Sequence, residues 1–195
     1  MSGAATTRDK AARPPEGDVV AILLAQHARI RELFAEVEAA EGERKRQAFD
    51  ELRALLVVHE TAEEMIVRPV ARDTAGRNEV EARNHEEWEA SKVLAALEKT
   101  DVGSAEFDDR LRAFEKAVVD HAGREEREEF PTIRAGRSEA ELRRMGTLVR
   151  AAEKIAPTHP HPGTAGSSLA QWSVGPLTGL ADRVRDAIRA ANARP

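Results

Sequence analysis

The sequence predicts an all-α fold: an up-down antiparallel four-helix bundle with additional C-terminal helices. Three observations predict it. Apolar residues recur at steps of three and four along four long segments, the period of one face of a helix. Breakers and caps separate those segments at Gly42, Pro69, Asp101-Val102-Gly103 and Ser104. Strand formers are sparse, whereas Ala, Leu, Glu and Arg abound and Tyr is absent.

Residues 1–17 are small, polar and closed by Pro14-Pro15, which predicts a disordered lead-in. Asp18 is the candidate N-cap of the first helix. That helix runs to about Glu41, with Val20, Leu23, Leu24, His27, Ile30, Phe34 and Val37 on one face. The second runs from about Glu43 to Arg68, with Phe49, Leu52, Leu55, Leu56, His59, Glu63 and Ile66 on its stripe. Pro69 is placed to kink or stop it, and Asp73 to Gly76 to turn the chain. The third spans about Asn78 to Lys99, with His85, Trp88, Leu94, Ala95 and Leu97 near one side and Trp88 expected in the core. The fourth has the clearest period: Phe107, Leu111, Phe114, Val118, His121 and Glu125 alternate by four and three, and Pro131 follows near its end. Residues 18–135 thus form the bundle. Ser138 with Glu141 makes a capping box for an additional helix within 136–156, carrying Leu142, Met145, Leu148, Val149, Ala152 and Ile155. Residues 157–195 join a Pro/Gly-rich linker to an amphipathic helix at about 176–193. Its Leu177, Leu180, Ala181, Val184 and Ile188 are expected to pack on the bundle or on another subunit.

Composition narrows the function. A chain of 195 residues fits one domain with tails. Its formal net charge of −5 gives no general attraction to nucleic acid or anionic membranes. With no cysteine, disulfides, thiolate-ligated zinc, iron–sulfur clusters and a cysteine nucleophile are excluded. Residues 1–17 lack the apolar centre of a signal peptide, and no apolar run approaches the roughly 20 residues of a membrane span. The expectation is a soluble cytoplasmic protein, monomeric or homodimeric, without a nucleic-acid or membrane partner.

The chemistry lies in the histidines. His59 with Glu63 and His121 with Glu125 are His-x-x-x-Glu pairs on apolar stripes, and residues four apart stack on one helix face. His27 and His85 sit on the two other long helices. In an antiparallel bundle His27 lies about 14 residues before the end of its helix and His59 about 16 into the next, nearly equal depths at about 1.5 Å per residue. The second and third connections bring His85 and His121 to within roughly a turn of the same level. A lone carboxylate on an apolar stripe is costly to bury, and two together repel. A pair of metal cations removes both costs. Imidazole and carboxylate without thiolate suit iron, manganese or zinc. The candidate ligands are therefore His27, His59, Glu63, His85, His121 and Glu125. Six ligands over two metals leave positions open for water or an oxygen species.

The remaining acidic residues near the motifs read mainly as solvated or salt-bridged faces. Glu60, beside His59, and Glu89, four after His85, could add ligands. His159 and His161, in PTHPHPG, read as loop histidines.

The order of His27, His59-Glu-Thr-Ala-Glu63, His85 and His121-Ala-Gly-Arg-Glu125 resembles the hemerythrin-like, HHE cation-binding family. The resemblance covers about residues 18–135 and includes the acidic, proline-ended segments HETAEEMIVRP and HAGREEREEFP. It implies a carboxylate-bridged non-haem di-iron centre, oxo- or hydroxo-bridged, held by the six residues above. Oxygen-carrying members have a second histidine four after the one on the third helix, where this chain has Glu89, so simple reversible oxygen carriage is in doubt. Many relatives have an aromatic residue where this chain has Arg68. The function expected is binding or turnover of dioxygen, peroxide (catalase-like) or nitric oxide. The alternative is a non-enzymatic iron sensor or iron-binding regulatory module.

Overall fold

A computed structural model describes residues 15–74, 77–155 and 177–193, without the side chains of 73–84, 87, 177 and 178. Residues 1–14, the linker, His159 and His161 lie outside the described residues.

Six helical rods account for the described secondary structure. Helix α1 is Val19–Ala39. Helix α2, residues 42–74, comprises Gly42–Ala62, a π-helical turn Glu63–Val67 and a last run Arg68–Thr74. Helix α3 is Arg77–Leu97. Helix α4, residues 105–136, comprises Ala105–Arg124, a second π-helical turn Glu125–Glu129 and Phe130–Gly136. Helices α5, Glu139–Glu153, and α6, Leu177–Asn192, follow. Three starts are capped as their sequences predict. The Asp18 carboxylate accepts from the Val20 amide, Ser104 from Phe107, and Ser138 and Glu141 close a capping box. Gly42, at φ +55°, makes the left-handed turn from α1 into α2.

Neither Pro69 nor Pro131 stops its helix; of the kink or stop expected at Pro69, the stop does not occur, and the helix runs on to Thr74. Both lie just beyond a π-helical turn. The Arg68 amide reaches the Glu63 carbonyl and the Phe130 amide reaches the Glu125 carbonyl, each five residues back. A proline ring clashes with the carbonyl four residues earlier, and a widened turn takes up that clash. The sequence echo between HETAEEMIVRP and HAGREEREEFP is therefore an echo of backbone geometry, with each motif glutamate opening its π turn.

The interior is divided into two apolar clusters. One joins Leu33 and Phe34 of α1, Leu52 and Leu56 of α2, Leu94 and Leu97 of α3, and Phe107, Leu111 and Phe114 of α4. The other joins Ile22 and Leu23 of α1, Val58 and Val67 of α2, and Phe130 and Ile133 of α4 to α5 and α6. The C-terminal helix packs on the bundle: Leu180, Val184 and Ile188 are buried there, each contributing about 1.5–3 kcal/mol of burial. Gly146 lets α5 approach the entry to α1, since a Cβ there would lie 2.1 Å from the Gly17 carbonyl oxygen. Trp88, expected in the core, is instead 56% exposed, with the Lys92 ammonium 3.8 Å from its ring centre. Its helix turns Leu94 and Leu97 inward, and the ring meets a cation at the surface. No described helix is long and apolar enough to cross a membrane.

Candidate metal centre

Between the two apolar clusters lies a buried polar layer. α1 supplies His27, α2 supplies His59 and Glu63, and α4 supplies His121 and Glu125, all buried. In both pairs the histidine lies in the last turn of the regular helix and the glutamate opens the π turn, so helical spacing puts the two on one face. His59 Nε2 is 3.7 Å from Glu63 Oε1, and His121 Nε2 is 3.2 Å from Glu125 Oε1. His27 Nε2 lies 3.1 Å from His59 Nε2 and 3.5 Å from Glu125 Oε2.

Donor atoms gather into two overlapping groups, each spanning no more than 4.8 Å. One contains His27, His59, Glu63 and Glu125; the other contains Glu60, Glu63 and His121. Glu63 belongs to both, and Glu125 touches His27 in the first and His121 in the second. A cavity of about 10 Å³ lies among His27, His59, Glu60 and His121, close to the room one water-sized body needs.

Each buried imidazole is held from behind. His59 Nδ1 faces the Gln26 side-chain oxygen at 2.8 Å, His27 Nδ1 faces a Glu126 oxygen at 2.9 Å, and His121 Nδ1 faces a Glu86 oxygen at 2.9 Å. These oxygens accept, so each Nδ1 carries the hydrogen and a neutral ring keeps its lone pair on Nε2. Two such lone pairs meeting at 3.1 Å between His27 and His59 repel unless a cation or proton lies near them. Outer acceptors of this kind orient histidine ligands toward metals.

Arg68 and His121 offset part of the carboxylate charge in the layer. Arg68 is buried, donates to both oxygens of Glu129 at 2.9 and 2.8 Å and to Glu125 at 2.9 Å, and lies 3.7 Å from Glu63. Burial alone would raise the Glu125 carboxyl, but the hydrogen bond from His121, with the charges of His121 and Arg68, holds it well below the usual range. Burial likewise opposes charge on His121, yet Glu125 outweighs it and the imidazolium persists to about 9. His59 goes the other way: burial, then the neighbouring His27, push it well below its ordinary value.

Of the six residues predicted from sequence, the structure brings five together. His85 is exposed, with its ring centre 6.0 Å from that of Trp88. It lines a cavity of about 320 Å³ together with Glu60, Glu86 and His121. Neighbouring residues on a helix point about 100° apart. With Glu86 turned toward His121, His85 falls at the rim. Glu60 stands in the second donor group instead. Glu89 lines the same cavity and pairs with Lys92. Sequence reasoning missed Gln26, and it read Glu86, Glu126 and Glu129 only as solvated or salt-bridged faces; each does pair with an arginine, but Glu86 and Glu126 also stand behind a histidine. Gln26, Glu86 and Glu126 are each the immediate neighbour of a motif histidine or glutamate, the one local signal that could have marked them.

The residues fit divalent or trivalent cations: nitrogen and oxygen donors converge, and carboxylates are shared between the two groups. The class defined by fold and site is a helical bundle with a histidine–carboxylate cation site. The model of the hemerythrin HHE cation binding domain matches residues 18–133, and the chain belongs to that family. The crystal structure of a hemerythrin HHE cation binding domain-containing protein from Mycobacterium kansasii superposes with a TM-score of 0.63. It covers 89% of this chain and 98% of the other at 21% identity, and so establishes the shared fold. A protein of Nostoc sp. (strain PCC 7120 / SAG 25.82 / UTEX 2576) named DNA nickase is 26% identical over 133 residues. The match takes in 68% of this chain but only 38% of that relative's length.

Proposed function

We propose that the polar layer holds two non-haem iron ions and that the protein binds or turns over dioxygen, peroxide or nitric oxide. The observation that carries this reading is the convergence of three buried histidines with Glu63 and Glu125, each imidazole held through Nδ1 so that Nε2 faces inward. His27 and His59 would hold one ion, and His121 with Glu60 the other, while Glu63 and Glu125 would span both. His85, at the mouth of the cavity, would be a seventh ligand through an inward turn of α3. An iron pair with open positions supplies reversible one- and two-electron chemistry to small oxygen or nitrogen species. The chain itself excludes bulk water with apolar layers on either side, keeps the imidazoles oriented, and carries a balancing cation in Arg68. The 320 Å³ cavity bounded by His85, Glu86 and His121 gives a path from the surface to the layer.

Iron analysis of the purified protein, with electronic spectra before and after peroxide, dioxygen and nitric oxide, tests the proposal. Two irons per chain and a spectral response to at least one of the three are expected. Stoichiometric iron with no response to any of them would reject small-molecule turnover.

A second reading is an iron-dependent regulatory module. Arg185 of α6 pairs with Glu64 at 3.3 Å, directly beside Glu63, so the C-terminal helix touches the turn that carries a ligand. This reading predicts that chelation increases protease cleavage of α6 while leaving peroxide consumption at background.

A further inference from the structure

A residue outside the stretch matched by the family model reaches the metal layer. Glu153 is the last residue of α5, beyond residue 133. Its Oε1 accepts from Gln26 Nε2 at 2.9 Å, and Gln26 Oε1 faces His59 Nδ1 at 2.8 Å. Gln26 itself is buried.

The direction of this chain of hydrogen bonds is set by chemistry. An ionised carboxylate only accepts, so the Gln26 amide must present its NH₂ to Glu153. Its carbonyl oxygen is then turned to His59 and can only accept from Nδ1. His59 is thereby confined to the tautomer with hydrogen on Nδ1 and a lone pair on Nε2, the atom that faces His27. His27 and His121 have carboxylates behind them, Glu126 and Glu86, which accept in any orientation. An amide can flip and offer a donor instead. Only His59, held by an amide, needs a third residue to fix its direction.

We propose that Glu153 is a positioning residue for the cation site: acting through Gln26, it locks His59 in the tautomer that can bind metal through Nε2. This rests on the reading of His59 as a ligand. It also gives α5 a functional task, since the helix that completes the second apolar cluster also orients a ligand on α2.

The test uses the full chain with Glu153→Leu, Glu153→Gln and Gln26→Leu. Nitrogen-15 imidazole spectra of the metal-free protein report the His59 tautomer, and anaerobic competition of Fe(II) against a chelator reports affinity. In Glu153→Leu and Gln26→Leu the hydrogen on Nδ1 should move, wholly or in part, to Nε2. Fe(II) affinity should fall about 10–100-fold, the usual range for loss of a residue that supports a metal ligand. Glu153→Gln keeps a polar partner for Gln26, but its amide can flip as well, so the tautomer should be mixed and Fe(II) affinity should lie between those of wild type and Glu153→Leu. The proposal is overturned if Glu153→Leu retains the wild-type tautomer, whether or not its affinity changes. It is also overturned if Gln26→Leu keeps the wild-type tautomer while Glu153→Leu loses it. A wild-type protein that takes up no Fe(II) would sink the metal reading, while the tautomer measurement would still decide whether Glu153 directs His59.

Discussion

His27 and His59, 32 positions apart on adjacent helices, meet Nε2 to Nε2 at 3.1 Å. Each ring is turned that way by an acceptor on its far side, Glu126 for His27 and Gln26 for His59. Two neutral imidazoles so arranged oppose each other's lone pairs, and a cation lying against both removes the conflict.

Replacing either ring should empty the site. His27→Ala, His59→Ala and Glu63→Gln should each lower iron affinity by more than about 100-fold, exceeding the loss typical of supporting residues. Iron content by elemental analysis checks this. His85→Ala makes the informative contrast: retention of two ions per chain places His85 at the rim, and loss of one ion makes it a ligand.

Metal uptake should be coupled to proton release. His121 stays protonated to about 9 in the metal-free layer, and its Nε2 must lose that proton to bind a cation. Apparent affinity should rise about tenfold per pH unit from about 6.5 to 8.5 and level off near 9. Calorimetry in buffers of different ionisation enthalpy would show about one proton released per chain at neutral pH. A pH-independent affinity over that window would contradict the assignment.

The metal-free protein should be most stable near neutrality. His59 is depressed in the folded chain, so its unfolded form protonates first, and stability falls as pH drops below about 6.5. His121 is raised, so its contribution is complete below about 6.5 and is lost as pH rises through about 9. Urea unfolding from pH 5 to 9 should give a maximum near 6.5. A monotonic profile would count against the opposed shifts.

Arg68 should matter most when metal is absent. It is buried against Glu125 and Glu129. Arg68→Met would remove the cation that two buried carboxylates share, a loss of about 3–5 kcal/mol. Bound cations should recover part of it by compensating Glu125. A change below about 1 kcal/mol in denaturant unfolding of the metal-free variant would show that the carboxylates protonate at little cost.

Gly146→Ala tests the approach of α5 to α1. The new Cβ would lie 2.1 Å from the Gly17 carbonyl oxygen and 3.1 Å from Ile22 Cδ1, so the backbone must shift, costing about 1–3 kcal/mol. Gly179→Ala, with nothing within 4 Å of its Cβ, should stabilise α6 by up to about 1 kcal/mol. Thermal unfolding of the two variants should move in opposite directions.

The helices, their caps and the two His-x-x-x-Glu pairs are legible in the chain before it folds. The signals for these are local: a 3.6-residue period, a side chain capping an amide two or three residues ahead, a histidine and a glutamate four apart on one face. The sequence also placed His27 at the level of His59, because equal helix depths follow from counting residues. Tertiary structure decided the rest. Packing of α3 set its rotation, which turns Glu86 toward His121 and leaves His85 and Trp88 at the surface. Widened turns let α2 and α4 run past Pro69 and Pro131, so that Arg68 reaches Glu129 across the bundle. The Gln26–Glu153 link joins residues 127 positions apart. Helix formation is governed by neighbours within a turn, whereas which polar side chain faces the interior depends on the fit of surfaces far apart in the chain, and no local pattern carries that.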